Sequence, residues 1–275
     1  MIEQKFLCRP LSFGQNLILI RFLLNIYFPF LLLALVNMAN GQILKVAHCY
    51  DGCPNGAEDS NHLILRPIYA LSYNMNTKSA DWVAYKLSPG SIGIASSLSR
   101  EAVHDNYVED TLKEEDFLGS EELGLLRSQY VSLVDFAGTP FWRDVNYLTN
   151  TVARTTSLSQ GAWYGLDWSI RNYVNRQGEV YVVTGPIFDA EDEGRVSELL
   201  QTDTPHRVPD KFFKVVVNNL GQSAAFILSQ SAPVHVHHCE MIASIEDIEK
   251  LTGLDLFSVS TPKLDDSVYT DLGCR

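Results

Sequence analysis

Segments with strand patterns outnumber helical ones, and this imbalance constrains the fold more than any other feature of the sequence. Branched and aromatic apolar residues recur in six short segments, at residues 63–73, 81–87, 145–148, 180–184, 212–217 and 224–228. Helices are predicted at residues 161–177, where apolar residues recur every three or four positions, and from a capping box at Ser244 to a stop at Gly253. Residues 89–122, rich in Ser and acids, are expected to be irregular. The pattern predicts an α+β fold with a central, largely antiparallel sheet flanked by helices.

The composition excludes two broad classes of protein. Hydrophobic residues occupy 46% of the 275 positions and charged residues 20%, the opposite of the balance found in disordered chains. The formal net charge of −12 argues against a histone-like nucleic-acid binder, because phosphate contacts require Lys and Arg. The length suits one large domain or two small ones.

The first 41 residues have the order of a secretory signal peptide. Basic residues precede a nearly continuous apolar stretch at 17–36, and the small residues Ala39 and Gly41 follow it. We expect cleavage after Gly41. The alternative is an uncleaved membrane anchor, but the segment after Arg21 has 15 residues interrupted by Pro29, fewer than the ~20 that span a bilayer.

Removal of this segment leaves residues 42–275 as the predicted folded domain. The segment carries three basic residues and one acid, so the exported chain is more acidic than the whole. We therefore predict a secreted, acidic protein that has no stable membrane association after cleavage.

Four cysteines remain in the exported chain, and an even number in such a chain predicts disulfides. The sequence alone leaves all three possible pairings of these cysteines open. Cys49 and Cys53 are close enough in the chain to form a tight local loop, and a bond between Cys239 and Cys274 would hold the C-terminus. The rival interpretation is a zinc site in a run of ligand-type residues, His235, His237, His238 and Cys239. That run lacks a second ligand pair at zinc-finger spacing, and on a strand His238 would point away from the others.

Several passages match one family in order and spacing. They read ADWVAYKL at 80–87, FAGTPFWRDVNYLTN through LSQGAW and LDWSIR at 136–171, and VYVVTGPIF at 180–188. Residues 205–215, 245–254 and 271–274 extend the match to the C-terminus. The chain therefore resembles the DNA/RNA non-specific endonucleases, especially their secreted bacterial branch. The resemblance implies a ββα-metal nuclease fold, and the four cysteines stand where that branch forms two local disulfides.

The resemblance also implies a specific chemistry. In the family a histidine is the general base that takes a proton from the water attacking phosphorus. A divalent cation, usually Mg²⁺, is held by one asparagine and neutralises charge on the phosphate and leaving oxygen. A glutamate on the following helix orients metal-bound water, and arginines bind phosphate and stabilise the transition state.

This chain departs from the family pattern at key positions. Arg127 of the catalytic motif is retained, but Gln129 stands in place of the general-base histidine. Ser159 replaces the metal-binding asparagine, and Asp167 replaces the helix glutamate. Arg171, one turn beyond Asp167, is retained as a catalytic and phosphate-binding arginine; the plain alternative for these two is a surface ion pair.

Three further positions complete the candidate site. Asn150 is retained, and Arg154 stands where the family has a glutamine. Together with Arg127 and Arg171, these are the candidate phosphate-binding residues. Arg100 is the candidate for an additional upstream arginine of the family.

The substitutions predict impaired catalysis. A carboxamide does not accept a proton near neutral pH, so Gln129 can orient water but cannot act as its base, a role worth about 10²–10⁴-fold in rate. Ser159 is a poorer Mg²⁺ ligand than an asparagine. Arg154 places a cation near the metal position, where it would either replace part of the metal's charge or repel a metal. These residues argue against Mg²⁺ binding here.

Three hypotheses follow from these residues. The preferred one is a secreted family member that has lost efficient catalysis and still binds DNA, RNA, another phosphate-containing ligand or a protein partner. The alternative is an active Mg²⁺-dependent endonuclease that hydrolyses DNA and RNA with an altered site. The third is a secreted interaction domain without a tie to nucleic acid. The preferred hypothesis requires the arginines to converge in a local basic cleft despite the acidic net charge.

Overall fold

A large twisted sheet organises the computed structural model, which describes residues 46–188, 202 and 206–275. Its strands and those of a smaller sheet are β1 His62–Leu65, β2 Ala70–Asn74, β3 Ser79–Leu87, β4 Leu125–Gln129, β5 Thr151–Thr155, β6 Val180–Ile187, β7 Lys211–Asn218, β8 Gln222–Ser229 and β9 Lys263–Leu264. The large sheet has the order β1-β2-β3-β6-β7-β8-β9 and is antiparallel except for the β8–β9 pair. The predicted α+β class and largely antiparallel sheet are confirmed.

Helices cover the sheet and connect its strands. In the described residues they are α1 Leu133–Phe136, α2 Thr156–Gln160, α3 Ala162–Gln177, α4 Ile245–Thr252 and α5 Asp266–Asp271. The smaller sheet pairs β4 with β5 and leads directly into α2 and α3. This succession of two strands and a helix supplies most of the candidate site residues.

The two faces of the large sheet bury separate cores, because successive residues of a strand point to opposite sides. On β7, Phe212 packs in the core to which Leu166 of α3 belongs, whereas Phe213 packs in the core that contains Ile248 of α4. We name these sides the α3 face and the α4 face. Burial on both sides explains why the central strands read as nearly continuous apolar runs.

The two main helices begin in different ways. The Ser244 side chain accepts a hydrogen bond from the Asp247 amide at 3.0 Å and so caps α4, which ends at Gly253 in the left-handed conformation with φ 72°. Helix α3 starts after Gly161 without a side-chain cap. A Cβ at Gly161 would lie 2.5 Å from the carbonyl oxygen of Val234, so the close approach of that loop requires glycine here.

The segment predicted as one strand over 63–73 forms two. β1 and β2 are joined by a tight turn in which the Arg66 amide donates to the Tyr69 carbonyl at 2.8 Å. Pro67 follows Arg66, and a proline at this position favours a turn over a continuous strand. The prediction was wrong because it read through this proline.

The predicted strand at 145–148 is also wrong. Trp142–Asn146 and Leu148–Asn150 form short 3₁₀ helices instead. Val145 and Leu148 are both buried, but they belong to two successive 3₁₀ helices that the extended Tyr147 separates. Four residues with apolar ends therefore carry too little pattern to separate the two structures.

The sequence patterns missed β4 and β5. Strand β4 reads LLRSQ and all five of its residues are half-buried, so neither alternation nor a continuous apolar run marks it. The pair is held by its mutual ladder and by packing on the surrounding helices. The 89–122 segment is mainly irregular, with 3₁₀ turns at Glu115–Phe117 and Ser120–Leu123.

Two disulfides are formed, Cys49–Cys53 and Cys239–Cys274, which selects one of the three open pairings. His237, His238 and Cys239 offer ligand atoms within 4.8 Å of one another, but the Cys239 sulfur is bonded to Cys274. His238 begins a 3₁₀ helix, not the strand assumed in weighing the zinc site.

The predicted signal peptide, residues 1–41, lies outside the described residues. Among the helices of the described part, none is long and apolar enough to cross a membrane.

Candidate functional site

A pocket of about 270 Å³ opens where β4, β5 and α3 meet. Its wall contains four arginines, Arg100, Arg127, Arg154 and Arg171. The β4–β5 register sets Leu126 opposite Arg154 and Arg127 opposite Ala153, so the two arginines of this sheet stand on adjacent rungs of its ladder. Arg171 comes from α3, and Arg100 from the irregular segment before β4. The required convergence of arginines is thus present although the net charge of the chain is negative.

Gln129 lines the pocket with a side chain of fixed orientation. Its Nε2 donates to the Val145 carbonyl at 2.8 Å and to the Asn146 Oδ1 at 3.1 Å. Both amide hydrogens are therefore used, and the carbonyl oxygen is what the side chain can offer a ligand. Gln129 can accept a hydrogen bond from water or from a protonated ligand, but it has no basic lone pair to take up a proton.

Arg154 lines the pocket and is almost completely buried. Its guanidinium stacks on Trp163 at 3.5 Å from the ring centroid and donates to the Gln129 carbonyl at 3.0 Å. Burial lowers the pKa of Arg154 to about 10, against the opposing field of Asp167, so the group stays charged at neutral pH. The site therefore holds a permanent cation in its interior.

Asp167 is neutralised from two sides. One carboxylate oxygen forms an ion pair with Lys214 of β7, and the other lies 3.9 Å from Arg171. Arg171 in turn donates from Nε to Asp135 of α1 at 2.6 Å. Since Asp167 and Arg171 are largely buried, the surface ion-pair interpretation of this helix face is wrong.

The pKa values of this cluster follow its burial. Desolvation lowers the pKa of Lys214 despite the pairing with Asp167, and it raises the pKa of Asp135 despite Arg171. For Arg171, desolvation opposes the charged form, but Asp135 and Asp167 outweigh it and the pKa is raised. Three cations, Arg154, Arg171 and Lys214, thus face two carboxylates, and the buried cluster keeps an excess of positive charge.

Arg127 and Ser159 lie at the rim. The Nη2 of Arg127 donates to the Arg100 carbonyl at 2.7 Å, and its side chain is 3.8 Å from Glu114. The Ser159 hydroxyl, at the end of α2, is 3.3 Å from the Ser128 hydroxyl. Arg127 lines the pocket and its side chain is partly exposed, so a ligand can reach it.

Asn150 has a different place from the one that the resemblance implied. It is fully buried, accepts from the Val131 amide at 3.0 Å and donates to the carbonyls of Val131 and Val145. Its amide is used to hold backbone beside Gln129. This geometry gives Asn150 no surface to offer a phosphate and makes it a positioning residue.

Sequence reasoning missed Lys214, Asp135 and Trp163. Lys214 lies in FFKVVV, where a single lysine interrupts a buried strand, and such a residue needs a paired charge. That interruption was the available signal. Asp135 gave no comparable signal, because its partner is 36 residues away in the chain.

Comparisons with known proteins agree with this architecture. A sequence model of the DNA/RNA non-specific endonuclease family matches residues 48–262. A nuclease of Serratia marcescens is 32% identical over 223 residues, covering 78% of this chain and 81% of the relative. The chain belongs to the DNA/RNA non-specific endonuclease family.

More distant relatives support the same assignment. The mitochondrial endonuclease G of Bos taurus is 26% identical over 204 residues, an alignment that includes 69% of this chain and 67% of the relative. A chain in the crystal structure of the EndoG/EndoGI complex superposes with a TM-score of 0.64 at 19% identity, covering 74% of this chain and 89% of that chain. The fold is thus the ββα-metal nuclease fold.

The residues present do not fit the divalent metal on which nucleases of this family depend. Mg²⁺ requires oxygen ligands and a site that favours positive charge. The position that the resemblance assigns to the metal ligand holds the Ser159 hydroxyl, and the Asp167 carboxylate is already paired with Lys214 and Arg171. Arg154 adds a buried cation to the same wall. Within this endonuclease fold, the positively charged pocket is suited to bind an anion and not a metal cation.

Proposed function

We propose that this chain is a secreted member of the DNA/RNA non-specific endonuclease family with impaired catalysis, and that it binds the phosphate groups of nucleic acid without a metal. The observation that carries the proposal is the charge of the pocket. Four arginines line it, and its carboxylate, Asp167, is paired with Lys214. An anion supplies the charge that the buried cluster lacks.

Impaired catalysis follows from the residue types that the pocket contains. Its wall includes Gln129 but no histidine among the described residues. A general base must lie within hydrogen-bond reach of the water that it activates, and the amide of Gln129 has no proton affinity near neutral pH. Arg171 and Arg127 can bind and orient a phosphate, but neither is a base at neutral pH.

Export is part of the proposal. It rests on the signal-like residues 1–41, which would leave 42–275 as the mature domain, and on two disulfides, which persist in oxidising compartments. Expression of the full chain in a secreting host, with N-terminal sequencing of the product in the medium, tests it. Retention of the intact chain in membranes would favour the anchor interpretation.

Binding is tested with short DNA and RNA oligonucleotides over a series of salt concentrations in the presence of a chelator. Wild-type protein is expected to bind at low salt, and Arg127→Ala to weaken binding to all sequences and lower the salt slope by about one. Arg143→Ala is the matched control, since Arg143 is exposed beside Trp142 and does not line the pocket. Absence of binding at low salt would favour a protein partner, such as the inhibitor that EndoG binds in the EndoG/EndoGI complex.

Catalysis is tested by incubating the purified domain with plasmid DNA and with RNA in Mg²⁺ or Mn²⁺. We expect no cleavage above background. Cleavage that is abolished by a chelator and by the Arg127→Ala substitution would overturn the proposal of impaired catalysis. It would establish an active enzyme with an altered site.

A gain-of-function variant tests the site itself. Gln129→His with Ser159→Asn and Arg154→Gln restores the base, the ligand and the neutral neighbour of the family pattern. Metal-dependent cleavage is the expected result. A folded triple variant that binds neither metal nor substrate would contradict the assignment of these positions.

A further inference from the structure

Two exposed aromatic side chains stand beside the arginine pocket on helix α3. Tyr164 is 60% exposed and Trp168 is 58% exposed, and they are four residues apart, so they are neighbours on one side of the helix. Single exposed apolar residues are ordinary on a protein surface. Two adjacent large aromatic rings on one helix are less common on a surface, because burial of each ring against a ligand would be favourable.

The same side of α3 carries the pocket residues. Tyr164, Asp167, Trp168 and Arg171 follow the spacing of three and four that defines one helical stripe. Tyr164 and Arg171 both line the pocket, and Trp168 lies between them along the stripe, three residues before Arg171. A ligand whose phosphate occupies the pocket therefore has two aromatic rings within reach of its neighbouring groups.

Phosphate-binding arginines beside exposed aromatic rings are the combination with which proteins bind unpaired nucleic acid. Bases of a single strand can turn outward and stack on aromatic side chains, whatever their sequence. Bases inside a duplex are already stacked and paired, so they cannot do so without unpairing. The rings on α3 thus favour single-stranded over double-stranded nucleic acid.

We propose that Tyr164 and Trp168 stack on bases and make this face a site for single-stranded nucleic acid. The proposal rests on the phosphate binding proposed above and adds to it the selection of unpaired strands. The arginine pocket holds the backbone, and the two rings hold bases that flank the bound phosphate. Either sugar type presents this chemistry, so oligothymidine and oligouridine both serve as probes.

The test compares three probes of equal length: a single-stranded oligothymidine, an abasic strand with the same phosphates, and a duplex. Wild-type protein is expected to bind oligothymidine more tightly than the abasic strand and the duplex. Trp168→Ala and Tyr164→Ala are each expected to weaken oligothymidine binding by about 5- to 150-fold. Trp168→Ala, which leaves the lining of the arginine pocket intact, is expected to leave binding of the abasic strand unchanged. An oligouridine arm shows whether the 2′-hydroxyl alters this preference.

Two variants serve as controls. Trp168→Phe keeps an aromatic ring and should retain most of the preference for oligothymidine. Leu251→Ala removes a half-exposed apolar side chain from α4, on the opposite face, and should change nothing. Both aromatic positions are exposed, so their alanine variants are expected to fold.

The outcomes separate the two proposals. Equal wild-type affinity for oligothymidine and the abasic strand, with both weakened by Arg127→Ala, would overturn the stacking proposal and leave phosphate binding intact. Oligothymidine binding that depends on Trp168 but not on Arg127 would support stacking and contradict the arginine pocket. Failure of all three probes to bind at low salt would overturn both.

Discussion

The two faces of the large sheet differ in how they treat charge. The α3 face buries a cluster of ionic side chains against its apolar core, consisting of Asp135, Arg154, Asp167, Arg171 and Lys214. The core of the α4 face is built from apolar side chains such as Phe213, Val215 and Ile248. One strand, β7, supplies both, because Phe213 and Lys214 are consecutive residues that point to opposite sides.

This difference separates stability from binding. Desolvating a charge costs free energy that its partners only partly return, whereas packing an apolar side chain is favourable by itself. The ionic cluster therefore lowers the stability of the α3 face relative to an apolar one, and the proposed function accounts for this loss as the cost of holding charges for a phosphate. Each prediction below tests this division, from the largest expected effect to the smallest.

Lys214→Met is expected to destabilise the fold by about 3–5 kcal/mol, because it removes the cation that is directly paired with the buried Asp167 carboxylate. Urea denaturation at neutral pH measures the loss. Lys214→Met combined with Asp167→Leu should recover most of it, since the pair is then replaced by apolar groups. A double variant no more stable than the single one would show that the ion pair is not the reason.

The two disulfides allow a comparison of the same bond on the two faces. Cys239–Cys274 closes a separation of 35 residues beside the α3-face core, and Cys49–Cys53 closes only four on the α4 face. Replacement of each pair by serine should cost about 4 and about 2 kcal/mol, respectively, since the longer loop restricts the unfolded chain more. Thermal unfolding at equal protein concentration measures both, and equal losses would contradict the loop-length argument.

Ser244→Ala removes the cap of α4 and should cost about 1 kcal/mol. Ser244→Asn, which keeps a capping oxygen, is the matched control and should stay near wild type. Oligonucleotide binding is expected to be unaffected by either change. Weaker binding in a folded Ser244→Ala variant would show that the two faces are not independent.

Stability is expected to fall as pH drops below the ordinary histidine pKa of about 6.5. Burial lowers the pKa of His238, whose Nε2 lies 3.0 Å from the Leu272 carbonyl, so the unfolded chain takes up a proton before the folded one does. The contribution is fully present above the unfolded value and is lost as pH falls toward the lowered one. His48, near Cys49, behaves in the same way.

Denaturant unfolding of His238→Phe and of His48→Phe between pH 7.5 and 5.5 measures how much of this pH dependence of stability comes from each histidine, and so from each face of the sheet. Each variant should show a shallower decline than wild type. An unchanged decline in both variants would assign the pH dependence to carboxylates instead.

Part of the fold was predictable because its signal is local. Strands β3, β6, β7 and β8 are buried on both sides, and burial imposes the apolar runs that mark them in the sequence. Helix α4 was predictable to the residue, since Ser244 and Gly253 act on the backbone next to them. Strands β4 and β5 were not, because β4 is half-buried along its length, β5 is buried but carries three polar residues among five, and the pair depends on its mutual ladder and on α2 and α3.

The candidate site divides in the same way. Motif spacing pointed to Arg127, Gln129, Ser159, Asp167 and Arg171, and all of them line one pocket. It gave Asn150 a phosphate contact, whereas that side chain is buried among backbone groups. The place of Asn150 depends on the loop around Val131 and Val145, which spacing does not describe.

The sequence by itself determined which chemical groups this protein has, namely the arginines, Gln129 and Ser159, and the family whose fold positions them. Only the tertiary structure decided what those groups can do. Asp167 is a candidate catalytic residue in the sequence, but Lys214, 47 residues further along, pairs with it inside the protein. The effect of a charge depends on its neighbours and on its burial, and both are properties of the folded chain.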